Sequence, residues 1–153
     1  MIAPAYPLCL PSGDREMLRK MKKVVRPLVR TVKAEGERLT RHFAPNTFDL
    51  VYARNCIDHS YDPEKAIAEM IAVTRPGCFV LLEHHPNEAQ TVQYVGLHQW
   101  NFSMNEAGDF VIRSRTDETN ITQKYRPTCS IQCEMIQEKE PWLITRIRKP
   151  LRT

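Results

Sequence analysis

Residues 48–82 constrain the fold more tightly than any other part of the chain. Phe48 to Ala53 reads FDLVYA, an apolar run of strand length, and residues 78–82 read CFVLL. Between them Asp62 stands where a helix N-cap belongs. Pro63 follows at the first helical position, where its missing N–H costs nothing, and Glu64 lies in the first turn, where negative charge is favoured. Ile67, Met70, Ile71 and Thr74 share one helical face, and Pro76-Gly77 ends the pattern. Strand, helix and strand at these lengths predict a βαβ unit with parallel strands and a right-handed crossover. CFVLL, apolar at every position, predicts a strand covered on both faces.

The first strand empties into a knot of polar groups: Arg54, Asn55, Asp58, His59 and Asp62. In open parallel sheets ligands bind at the carboxyl ends of strands, and Glu83-His84 marks a second such end. An imidazole suits proton transfer near neutral pH, so His59 is a candidate general base with Asp58 beside it to orient it. The same residues also suit a turn that merely packs and hydrogen-bonds. Arg54 presents a planar fork that fits a carboxylate ligand, or equally a solvated surface. His84, His85, His98, Cys129 and Cys133 carry metal-ligand atoms, but no tight C-x2-C or H-x3-H pair exists, so no metal is assigned. Trp100 and Phe102 read as core or lid packing.

Elsewhere the patterns are plainer. Ser12 or Asp14 caps a helix running to about Lys23, residues 28–33 (LVRTVK) alternate as a short strand, and ERLTRHF after Gly36 makes a helical turn. Past His85 come a short helix over 87–95 and strands in GDFVIRSR, TNITQKY, CSIQCEMIQE and WLITRIRK, spaced for antiparallel hairpins. The 153 residues therefore read as one α/β domain: a basic segment and helix over 1–27, a βαβ core over 28–85 and an antiparallel meander over 86–153. No apolar run approaches the ~20 residues a membrane span needs. Five cysteines, an odd number, read as reduced thiols of a cytoplasmic protein. Residues 14–42 hold ten Lys/Arg against four Asp/Glu, whereas the whole chain has a net charge of only +4. With no aromatics interleaved, that basic stretch reads as a solvated helix face rather than a nucleic-acid surface.

Taken in order, AEGERL, NTFDLVYARNCIDHSYDP, the helix with Met70, RPG and CFVLLEHH resemble the second half of a class I S-adenosylmethionine-dependent methyltransferase of the small methyltransferase-domain type. GLHQWNF, GDFVI and WLITRIRK extend the resemblance over roughly residues 28–149. It implies a Rossmann-like sheet and S-adenosylmethionine as cofactor. Glu35 and Gly36 would line the adenine pocket, with Ala53, Arg54 and Asn55 on the methionine side; the methyl acceptor, a small molecule, is unassigned.

The departure lies in the family's glycine-rich first motif, where glycine lets backbone approach the cofactor. The glycines here are 13, 36, 77, 96 and 108, and none forms a GxG. The expectation is a truncated methyltransferase sheet without its N-terminal half, binding the cofactor weakly or not at all by itself. In the family's strand order this loss makes FDLVYA an edge, which invites a homo-oligomer through that edge. The alternative reading is a non-catalytic interaction module using the same edge.

Overall fold

The computed structural model describes residues 32–137 and 139–151. Strand β1 (Phe48–Arg54) leads through a single 3-10 turn to helix α1 (Pro63–Val73), which returns into strand β2 (Thr74–His84). The α1 N-terminus is built as the sequence predicts: the Lys65 N–H donates to Asp62 Oδ1 at 2.9 Å, with Pro63 in the first turn. β1 and β2 are parallel neighbours, Val51 opposite Val80 and Ala53 opposite Leu82. The βαβ expectation holds.

After β2 come helix α2 (Glu88–Thr91), strands β3 (Asn101–Met104), β4 (Phe110–Arg113) and β5 (Glu118–Asn120), and helix α3 (Ile121–Tyr125). The chain closes with β6 (Ser130–Gln137) and β7 (Pro141–Arg148). The main sheet has the order β1-β2-β7-β6, with β7 antiparallel to both of its neighbours. β3, β4 and β5 form a separate antiparallel sheet. The expected meander is thus divided, its last hairpin extending the parallel pair. β3 was not anticipated. TNITQKY, expected as a strand, becomes a strand end and a helical turn, because Asn120 accepts from the Gln123 N–H at 2.9 Å and caps α3. The helix expected over 14–23 and most of the strand over 28–33 lie outside the described residues.

α1 packs Ala66, Ile67, Met70 and Val73 against a core that includes Val51, Ala53, Val80, Leu82, Leu143 and Ile147. Phe102, Phe110, Ile112 and Ile121 join the same cluster, so the small sheet shares the core of the large one. Each large side chain buried in this way contributes roughly 1.5–3 kcal/mol. Among the described residues, β2 is not covered on both faces as expected. Val80, Leu82 and His84 are buried, but Phe79 is 42% exposed and its β1 neighbour Leu50 is 49% exposed. No described helix is packed there; the Arg148 guanidinium lies 5.7 Å from the centre of the Phe79 ring.

The junction of α1 and β2 is held by one side chain from the far end of the chain. Lys149 Nζ donates to the carbonyls of Ile71 (2.9 Å), Ala72 (3.2 Å) and Thr74 (2.9 Å) and to Asn46 Oδ1 (2.9 Å). The first two are carbonyls of the last helical turn, which lack intrahelical partners (that of Ala72 also accepts the Asn46 N–H at 3.1 Å), and a cation there also suits the helix dipole. Pro76-Gly77 does not stop the helix directly. α1 ends earlier, at Val73, and Gly77 sits inside β2 at φ +81°, its N–H donating to the Lys149 carbonyl at 2.8 Å. We expect Lys149→Met to lower the unfolding free energy by about 2–3 kcal/mol in urea titrations, since charge-assisted hydrogen bonds are lost and buried carbonyls left behind. Arg38→Ala, which removes an exposed ion pair with Glu35, should cost less than about 0.5 kcal/mol. Equal effects would show that water replaces the ammonium at no cost.

Candidate functional site

β1 ends because Asn55 turns left-handed, at φ 44°. Its N–H donates to the Glu83 carbonyl at 2.7 Å, and its side-chain oxygen accepts from the His85 N–H at 3.4 Å. The exits of β1 and β2 are thereby tied together. The chain then makes a 3-10 turn, Ile57–His59, which buries Asp58 to 1% exposure and leaves His59 partly exposed.

A second segment closes on this turn. After α2 the backbone passes through left-handed Gln93, Tyr94 and Gly96. Trp100 Nε1 then donates to the Ser60 carbonyl at 3.0 Å. This brings His98 onto the rim. His98 Nδ1 lies 3.1 Å from Asp58 Oδ2 and 3.1 Å from His59 Nε2, and His59 Nε2 lies 3.2 Å from the same Asp58 oxygen. The other Asp58 oxygen is buried without a hydrogen-bond partner. Glu88 Oε1 stands 3.9 Å from His98 Nδ1, and Glu88 Oε2 is likewise buried and unpartnered.

Burial raises the Asp58 carboxyl above the ordinary range; His59 opposes the shift and Glu88 adds to it. Burial also pushes the Cys56 thiol up to about 11, so it is no nucleophile near neutral pH. His84 is buried against Phe102, ring centres 4.4 Å apart, with Nε2 unpartnered. Its pKa falls to about 3, through burial first and then the nearby His59 and His85, so it stays neutral.

The remaining expected residues take separate positions. Ala53 is buried at the end of β1. Arg54 is exposed, 3.4 Å from Glu83 Oε2, with its guanidinium 4.4 Å from the centre of the Trp142 ring. Glu35 is exposed and pairs with Arg38 at 3.1 Å. It lines an open groove of about 360 Å3 with Lys33, Ala34, Arg38, Arg41 and His42. Gly36 packs on α1, where an added Cβ would lie 3.5 Å from that of Ala66. Glu37 joins the two regions by accepting the Tyr61 N–H at 2.9 Å. The structure therefore gathers Asp58 and His59 with His98 and Glu88, but the Glu35 groove includes none of Ala53, Arg54 or Asn55. Glu88 was missed, and His98 was considered only with His84, His85, Cys129 and Cys133. Cys133 instead faces Thr145 at 3.3 Å, and His85 lies tilted against Trp142, ring centres 4.0 Å apart. A histidine beside the Trp of GLHQW was the available signal.

Residues 11–82 match a family described as a methyltransferase domain. The sheet also resembles that of the Burkholderia thailandensis 1,6-didemethyltoxoflavin-N1-methyltransferase, solved with 1,6-didemethyltoxoflavin and S-adenosylhomocysteine. The TM-score is 0.54 at 14% identity, over 94% of this chain and 59% of that one. The chain is similar to the class I S-adenosylmethionine-dependent methyltransferases. A chain from the Haloferax volcanii complex that contains the Trm112 methyltransferase activator has a TM-score of 0.55 at 12% identity, over 90% of this chain and 69% of that one. Norajmaline N-methyltransferase of Rauvolfia serpentina is 43% identical over 47 residues, which are 31% of this chain and 16% of that enzyme. At such identities the structures establish a shared fold.

The Glu35 groove is open, and the β1 exit offers backbone and polar groups. Among the described residues nothing corresponds to a glycine-rich cradle.

His84 gives the rim a measurable acid sensitivity. Below pH 6.5 the unfolded chain binds a proton that folded His84 refuses down to about pH 3, so stability falls as pH falls through that window. Between pH 7 and pH 5 we expect the native chain to lose about 2 kcal/mol relative to a His84→Phe variant. Urea titrations at the two pH values check this. Parallel losses in both proteins would place the acid sensitivity elsewhere.

Proposed function

We propose that this chain serves methyl transfer from S-adenosylmethionine to a small-molecule acceptor, with the rim after β1 as the acceptor side. The convergence of Asp58, His59 and His98 at the carboxyl end of a parallel strand carries the reading. The cofactor supplies a methyl group made electrophilic by its sulfonium. Glu35 and Gly36 line the adenine side, and Ala53, Arg54 and Asn55 the methionine side. His59 accepts the proton that the acceptor's N–H or O–H gives up as the new bond to carbon forms. Asp58, buried beside it, orients the ring and stabilises the imidazolium. The trajectory needs positioning and exclusion of water more than covalent catalysis. Arg54 and Trp142 form a flat cationic and aromatic wall beside Glu83, suited to a planar or anionic acceptor.

The chain alone binds the cofactor poorly in this reading, because its five scattered glycines provide no backbone cradle. A ligand group buried without its partner costs roughly 1–3 kcal/mol. Calorimetric titration with S-adenosylmethionine and S-adenosylhomocysteine should give dissociation constants weaker than about 100 μM, a free energy of roughly −5.5 kcal/mol. Sub-micromolar binding would overturn that part. With cofactor saturating, His59→Ala should lower kcat about 100-fold or more with a small change in KM; an unchanged kcat would remove the base assignment.

The outer edge of β1, which no described strand pairs, is where we place self-association. Sedimentation should show a dimer that dissociates on dilution, and a concentration-independent monomer would exclude it. The four described cysteines are free thiols, which supports a cytoplasmic setting. No described helix is long and apolar enough to cross a membrane.

A further inference from the structure

We propose that Asp58, His59 and His98 form a binding site for a divalent first-row transition metal, with Glu88 as the nearest additional ligand. Three ligand atoms, Asp58 Oδ2, His59 Nε2 and His98 Nδ1, make a triangle with sides of 3.1, 3.1 and 3.2 Å. An ion about 2.1 Å from each of them would sit roughly 1 Å above their plane. The two rings are nearly perpendicular, at 79°, with centres 4.4 Å apart. Two imidazoles and one carboxylate on one triangular face is a donor set that suits iron, cobalt or zinc and leaves positions open on the other side.

Hydrogen bonding does not account for this triangle. A ring nitrogen has one in-plane valence, filled by a proton or a lone pair. If both nitrogens carry protons, both donate to Asp58 and face each other as donors. If only one does and Asp58 is ionised, the other nitrogen turns its lone pair on the carboxylate oxygen. If Asp58 is protonated as well, one lone pair must accept two protons. No placement of protons makes all three separations well-formed hydrogen bonds, whereas one cation satisfies all three atoms together.

The second observation is independent of the triangle. Asp58 is 1% exposed, and its other oxygen has no hydrogen-bond partner. Buried charge is expensive unless it is paired or coordinates a metal. Glu88 brings a second carboxylate with an unpartnered buried oxygen to the same place, 3.9 Å from His98 Nδ1. Two ionised carboxylates converging there repel each other, and a cation between them removes that repulsion. Among the described residues no other group of three such side chains gathers its ligand atoms in this way.

The proposal rests on the geometry of the rim and not on methyl transfer, and its test uses neither cofactor nor acceptor. A neutral imidazole has a single lone pair, and metal held at Nε2 leaves the proton on Nδ1, so a loaded chain would not use His59 as a base. The untagged full chain, freed of metal by a chelator and dialysed, is titrated with Co2+ while its visible absorption is followed, then competed with Zn2+. We expect one Co2+ per chain with a dissociation constant in the micromolar range or tighter, bands of nitrogen and oxygen ligation, and displacement by Zn2+. His59→Ala and His98→Ala should each weaken binding about 100-fold, and Glu88→Gln about tenfold. His85→Ala, outside the cluster, should leave it unchanged. Circular dichroism confirms that each variant is folded, and His98→Gln replaces His98→Ala if the latter is not. Absence of saturable binding to the native chain below 1 mM (order of magnitude for an adventitious surface site) would overturn the proposal. So would binding that survives both histidine substitutions in folded protein.

Discussion

An ammonium group ties together three of the four strands of the main sheet. Lys149 follows the last strand, yet its nitrogen sits among carbonyls at the end of α1 and the start of β2 and reaches Asn46 just before β1. It thus fixes, at one point, the ends of the helix and of three strands of the main sheet. The backbone repeats the connection: the Gly77 N–H donates to the Lys149 carbonyl, and the Lys149 N–H donates to the Cys78 carbonyl. Because strand alternation has a period of two, a slip of one residue here would turn Val80, Leu82 and His84 outward and break the core that α1 covers. The irregularity in β1–β2 pairing between Phe48 and Leu50 falls beside this junction.

With the register set at one end, the opposite end of the sheet collects the chemistry. Parallel pairing of β1 and β2 sends both exits to the same side, and Asn55 fastens them by hydrogen bonds to Glu83 and His85. The turn after Asn55 can then bury Asp58 while presenting His59. The third participant comes from 40 residues further on, carried in by the loop that Trp100 ties to Ser60.

Much of this was legible in the sequence, for local reasons. The βαβ unit was readable because Asp62, Pro63 and the spacing of Ile67 and Met70 all act within a few residues of one another. Asp58 and His59 were readable as a rim pair because the topological rule needs only the strand before them. His98 was not readable as their neighbour, since only a loop with three left-handed residues brings it there, and such loops leave weak patterns. Glu88 was lost because it follows another left-handed residue, Asn87 at φ 53°, which leaves an equally weak pattern. The expectation of a doubly covered β2 failed because an apolar run does not state how many layers pack on it: Phe79 and Leu50 share a face partly exposed to solvent and flanked by arginine. TNITQKY misled because Asn120 caps a helix more effectively than Ile121 and Tyr125 favour a strand.

The docking of the His98 loop has a kinetic meaning of its own. Its contacts to the rim are a few hydrogen bonds and a part-buried indole, whereas the core beneath it is continuous from Leu39 to Ile147. Segments with few buried apolar contacts open at far lower free energy than the cores they rest on. The lifetime of the assembled rim therefore depends on the residence of one loop: a chain folded in every strand and helix keeps Asp58, His59 and Glu88 in place and lacks His98 whenever that loop lifts.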